Sequence, residues 1–208
     1  MSGLTRTVVE IIKVSWWVLL PLGLFYVWNE WWVWGKGRLW IIAQKWIVLE
    51  IKVPQNIEKS PKAMENVFSA LHAVRFKGDL SWEDIYFKGE NLGWFSCELV
   101  GYQGEVHFYI RVMKGFRNLA ESAIYSEYPD AEIIEVEDYV NEMPDVVPNE
   151  IYNLEGWDFI LTKPSPYPIK TYEFFEAPAP EKRLDPIAAI TEVMSRLKEG
   201  EVIWLQYL

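Results

Sequence analysis

Cysteine is almost missing from this chain, and histidine nearly so. A single cysteine, Cys97, makes an intrachain disulfide impossible, and with only His72 and His107 there is no Cys/His spacing for zinc. The two histidines fall on different predicted elements with no serine or cysteine constellation around them, so a hydrolytic triad has no support. The Gly-x-x-x-x-Gly-Lys-Ser/Thr phosphate loop is also missing, since Gly35-Lys36-Gly37 lacks the preceding glycine. The chain therefore reads as a non-enzyme with no cofactor and no metal.

Basic residues are scarce where the folded body should be. Residues 1–46 hold five Lys/Arg against two acids, Glu10 and Glu30, which leaves 15 basic and 28 acidic residues, a net charge of −13, for the remainder. Nucleic-acid affinity comes largely from cations that displace counterions from phosphates, so direct nucleic-acid binding by the body is disfavoured. A run of acids, Asp130, Glu132, Glu135, Glu137 and Asp138, reads as a solvated edge strand whose charges discourage sheet-to-sheet pairing.

Tryptophan is abundant, and eight of the twelve lie before residue 47. From Val14 to Val33 the sequence runs VSWWVLLPLGLFYVWNEWWV, close to the roughly 20 residues a helix needs to cross a bilayer. Trp16 and Trp17 mark one end, and Trp28, Trp31, Trp32 and Trp34 the other, where indoles sit at headgroup level. Glu30 lies near the end of the stretch and reaches interfacial water, and Pro21 and Gly23 are tolerable in lipid. Bulky tryptophans, and no small-residue cleavage site, follow the apolar core, which argues against a signal peptide. The expectation is a single transmembrane helix in a cell membrane; three positive charges after it and two before place the body in the cytoplasm.

The body reads as α+β. A strand is predicted over 47–53, with Leu49, Ile51 and Val53 on one face and Glu50 and Lys52 on the other, closed by Pro54. A helix follows from Ser60-Pro61, with Met64, Val67, Phe68, Leu71 and Val74 at helical spacing. Residues 77–93 carry no periodicity and read as a loop. Strands over 94–100 and 105–112 flank Gly101-Tyr102-Gln103-Gly104, a hairpin signal, and Val106, Phe108, Ile110 and Val112 alternate inward. A second helix presents Phe116, Leu119, Ala120, Ala123 and Ile124, ends at Tyr128-Pro129, and leads to a strand over 131–136.

The order β-α-β-β-α-β is that of a ferredoxin-like split unit, with both helices on one sheet face. The open face then carries Glu50, Lys52, Glu105, His107, Tyr109 and Arg111, with Glu105, His107, Tyr109 and Arg111 the predicted docking residues. An RNA-recognition reading of this topology fails, because EVHFYIRV lacks the glycine-aromatic signature and the body is acidic.

After Tyr139 the composition shifts, with eight of the twelve prolines beyond residue 143. A strand is predicted over 157–162 and an extended proline-rich connection over 164–180. A helix then starts at Asp185-Pro186, bears Ile187, Ile190, Met194 and Leu197, and stops at Gly200; a last strand covers 201–208. This makes a partial second β-α-β unit, and its end inside an apolar strand is the mark of a piece of a longer protein. Three segments are predicted: 1–46, helix and juxtamembrane stretch; 47–140, ferredoxin-like domain; 141–208, proline-rich connection and incomplete α+β unit.

The stretches VLEIKVPQNIEKSPKAMENVFSALH, GEVHFYIRVMKGFRNLAESAIYSEYPDAEIIEVEDY, KPSPYPIKTYEFF and EKRLDPIAAITEVMSRLKEGEVIWLQ carry a resemblance over nearly the whole chain. It resembles the N-terminal, membrane-anchored region, of uncharacterised function, of type IV secretion or conjugative DNA-transfer ATPase-like proteins of uncultivated bacteria. The resemblance implies a motor domain following this region, a cytoplasmic body, and protein partners such as further copies or a secretion apparatus. No motor motif is present to match, so no catalytic residue is carried over. The expected function is a non-catalytic membrane anchor and assembly module, with a lipid bilayer and proteins as partners; the alternative is a free-standing membrane-bound interaction or sensor protein.

Overall fold

A computed structural model describes residues 3–54, 61–72, 80–160, 162–164 and 187–207, with only the backbone for 3–9, 11, 12 and 61. The chain forms two compact units: residues 1–44 with 77–92, and residues 45–76 with 93–208.

The first unit is built on one long helix, α1 (Gly3–Ala43), 41 residues and so about 60 Å long. Pro21 sits inside it. Consecutive side chains from Trp16 to Leu20 are all exposed, so the helix is apolar on every side there and not along a single stripe. The transmembrane expectation over 14–33 is nevertheless not supported. Among the described residues no helix is long and apolar enough to cross a membrane. The physical reason is dilution: Asn29 and Glu30 cut the apolar run, and the tryptophans that fill it are interfacial more than hydrocarbon-loving.

Residues 77–93 were expected to be featureless, yet 81–89 form a capped turn. Ser81 and Asp84 close it reciprocally: Ser81 Oγ donates to the Asp84 carboxylate at 2.7 Å, and the Asp84 N–H donates to Ser81 Oγ at 3.2 Å. Asp84–Lys88 is a single π-helical turn, ended by Gly89 at φ 68°. The turn clasps α1. Trp32 Nε1 donates to the Tyr86 carbonyl at 2.9 Å, Trp82 stacks on Tyr86, and Asn91 donates to the Gly37 carbonyl. A Cβ at Gly89 would strike the Lys36 backbone, so this position combines a left-handed backbone with close approach of α1.

The second unit is an α+β sandwich. Strands β1 (Trp46–Lys52), β2 (Phe95–Tyr102), β3 (Glu105–Met113), β4 (Glu132–Val136) and β5 (Val202–Tyr207) make one antiparallel sheet in the order β4-β1-β3-β2-β5. Helix α2 (Pro61–Leu71) lies between β1 and β2 in the chain, and α3 (Arg117–Glu127) between β3 and β4. β2 and β3 meet at the two-residue turn Gln103-Gly104, both at positive φ, the geometry that follows the twist of a hairpin.

The core is Ile47 and Leu49 from β1, Ile110 and Val112 from β3, Val67 and Leu71 from α2, and Ala120, Ala123 and Ile124 from α3. The predicted apolar face of α2 is rotated: Ala63, Val67 and Leu71 are buried, whereas Met64 and Phe68 are exposed. On β3 the inward alternation holds at Ile110 and Val112 and fades toward the hairpin, where Phe108 is exposed. Short α4 (Ala188–Met194) seats Met194, fully buried, against Gly101 of the β2–β3 hairpin.

The final strand does not found a second sheet; β5 pairs with β2 and extends the first one. The strand expected over 157–162 is not formed at its described positions 157–160, where Trp157, Phe159 and Ile160 are almost fully exposed and no strand partner is present. The expectations for Ser60, Val74, most of the 164–180 connection and Asp185-Pro186 lie outside the described residues.

Candidate functional site

Alternation along β3 puts Glu105, His107, Tyr109 and Arg111 on the sheet face opposite the core helices, and the register brings their neighbours beside them. Glu50 and Glu98 both lie across from Tyr109, and Gln206 lies across from Glu98. Ser96 and Val48 flank Arg111, while Val100, with Trp204 beyond it, flanks His107. The face is covered at one end by the 3₁₀ turn Tyr139–Glu142, capped by Asp138, whose side chain accepts from the Val140 N–H.

Two buried carboxylates organise this surface. Glu98, 4% exposed, accepts from Ser96 Oγ at 2.5 Å, Arg111 Nε at 3.0 Å and the Tyr139 hydroxyl at 2.7 Å. Gln206 Nε2 in turn donates to the Tyr139 oxygen. Arg111 completes its donor fork on Asp138, at 2.5 and 2.9 Å. The Asp138 carboxylate raises the Arg111 pKa above its usual value, and Arg111 lowers that of Asp138. Glu50, 7% exposed, meets His107 Nδ1 at 2.7 Å and Lys52 at 3.4 Å. A buried charge without such partners would cost several kcal/mol, so each carboxylate fixes the groups around it.

Beside this network lies a hollow of about 370 Å³, walled by Tyr102, Tyr109, Tyr139, Trp204 and His107, with Glu105 and Glu142 among its polar groups. The rings are mutually ordered: His107 stacks on Tyr109 (5.8 Å between centroids, 4°), Tyr109 on Tyr139 (5.3 Å, 17°), and Trp204 meets Tyr139 edge-on at 5.2 Å. Burial, reinforced by Glu50 and Glu142, pushes the Tyr109 hydroxyl up to about 12; burial and the hydrogen bond to Glu98 do the same for Tyr139. Among the described residues the lining holds no serine, threonine or cysteine, and no group of His, Cys, Asp and Glu is placed to hold a metal. The arrangement combines flat rings, carboxylates and a defined depth.

All four predicted docking residues therefore lie on one face, but they differ. Glu105 is exposed at the rim of the hollow, His107 and Tyr109 line it further in, and Arg111 is drawn into the Glu98–Asp138 network. Glu105 sits 3.8 Å from His107 Nε2, and the closer carboxylate is Glu50 on the neighbouring strand. Sequence reading missed Glu98, Tyr139, Glu142 and Trp204. Only Glu98 carried a usable signal, the polar alternation Ser96-x-Glu98 within an otherwise apolar strand.

The tryptophans of α1 separate as well. Trp16, Trp17, Trp28, Trp31 and Trp34 are exposed, whereas Trp32 is half-buried under the 81–89 turn. Lys36 lies over the Trp32 ring and Arg38 over the Trp34 ring, at 4.9 and 5.4 Å. Among protein families, curated proteins and solved structures, none matches this chain.

Proposed function

We propose that this chain is a non-catalytic anchoring and assembly module: α1 is its bilayer-contacting element, and the outer face of the ferredoxin-like sheet is its docking surface for protein. The observation that carries the reading is α1 itself. Exposed Leu, Val, Phe and Trp side chains surround it from Val14 to Leu24 and onward, and water is a poor environment for such a helix. Three cations, Lys36, Arg38 and Lys45, follow the tryptophans and two, Arg6 and Lys13, precede them, a margin of one charge in favour of a cytoplasmic body. The sequence resemblance is what supports placing the module in a type IV secretion or DNA-transfer ATPase-like protein.

Flotation with liposomes tests the anchor. The full chain should float with the lipid and stay there through carbonate washing. The double variant Leu20→Arg, Leu24→Arg should release it, since two charges within the apolar stretch oppose its burial among acyl chains. A chain that stays at the bottom of the gradient, or a double variant that floats unchanged, overturns the bilayer role.

A further inference from the structure

We propose that the hollow on the sheet face is a recognition site for a cationic side chain, an arginine or lysine presented by a basic segment of a partner protein. The proposal rests on the docking half of the reading above and is independent of the bilayer half. Tyr102, Tyr109, Tyr139 and Trp204 line the hollow; Tyr109 and Tyr139 are already engaged in the His107–Tyr109–Tyr139 stack, so Tyr102 and Trp204 are the rings that can attract a guanidinium or ammonium. Glu105 and Glu142 supply carboxylates, and among the described residues neither lysine nor arginine lines the hollow, so its charge favours a cation over an anion.

The buried network leaves these groups uncommitted. Glu98 and Asp138 are consumed by Arg111, Ser96 and Tyr139, whereas Glu142 faces solvent and Glu105, among the described residues, has the 3.8 Å approach of His107 alone. The molecule already shows the chemistry, because the Arg111 guanidinium lies 5.9 Å from the centre of the Tyr139 ring. A net charge of −13 beyond residue 46 adds long-range attraction for a basic partner.

The test uses the full chain in nanodiscs of zwitterionic lipid and a fluorescein-labelled peptide alternating arginine with glycine, followed by anisotropy. Binding should saturate, and the same peptide with citrulline in place of arginine should bind at least about tenfold more weakly, because it keeps the shape and loses the charge. Glu142→Lys, on the exposed rim, should weaken arginine-peptide binding about tenfold, while Glu65→Lys, on α2 across the sheet, should change it less than about twofold. Trp204→Leu, checked for folding by circular dichroism, should weaken it about fivefold. Equal binding of the arginine and citrulline peptides, or equal loss in Glu142→Lys and Glu65→Lys, overturns the site and leaves only general charge attraction. A chain that fails to float yet binds the peptide refutes the anchor alone; one that floats and does not bind refutes the site alone.

Discussion

Glu98 bears more of the sheet face than any other side chain, because three donors from three different elements converge on its two oxygens. Replacing it with alanine strands Arg111 with one carboxylate instead of two and frees the Tyr139 turn. Unfolding in urea should show a loss of about 3 kcal/mol for Glu98→Ala, with the midpoint moving at constant slope. Asp138 makes a pH prediction. Its carboxyl is held below the ordinary 3.8, chiefly by the Arg111 hydrogen bonds, so the stability it contributes is full above that value and lost as the pH falls toward the lowered one. Acid unfolding of Asp138→Asn should be less steep below about pH 4 than that of the parent, and identical slopes there would show that the pair is energetically silent. At this scale the sequence was partly legible. Period-2 alternation aligned Glu105, His107, Tyr109 and Arg111, but it carries no information on what crosses the sheet. Tyr139 was hidden at the end of an acidic run read as solvated, and Trp204 is brought in by a strand more than sixty residues further along.

Elements were legible where burial is one-sided and repetitive. β3 near Ile110 and Val112, and α3, follow their patterns because each buries one face in the core, whereas β1, expected to be half-exposed, buries Val48 and Glu50 on its outer face as well. The turn at 81–89 was missed although Ser81-Trp-Glu-Asp84 is a capping box and Gly89 a helix stop, since one turn is too short to show a period. The converse error fell at 157–160, where alternating apolar residues pair with neither edge strand of the sheet. Two close backbone approaches give predictions. Gly89→Ala should detach the clasp, seen as faster amide exchange at Tyr86–Asn91 and loss of protection at Gly37, with the sheet unit unaffected. A Cβ at Gly101 would stand 2.8 Å from Met194. Gly101→Val should therefore lower stability by roughly 2 kcal/mol as α4 is pushed off the hairpin, and Met194→Ala in the same chain should recover part of the loss.

At the scale of the whole molecule, the strand order β4-β1-β3-β2-β5 couples distant stretches of chain: four adjacent strands are complete by Val136, and the fifth begins at Val202. During synthesis the ribosome adds on the order of ten residues per second, so β2 waits several seconds with its outer edge bare. An unpaired edge is a template for any strand of matching register, and the nearest supply in a polysome is β5 of a neighbouring nascent chain. The order of strands thus makes exchange of β5 between two copies a competing outcome of folding, one that turns on the spacing of ribosomes along the message.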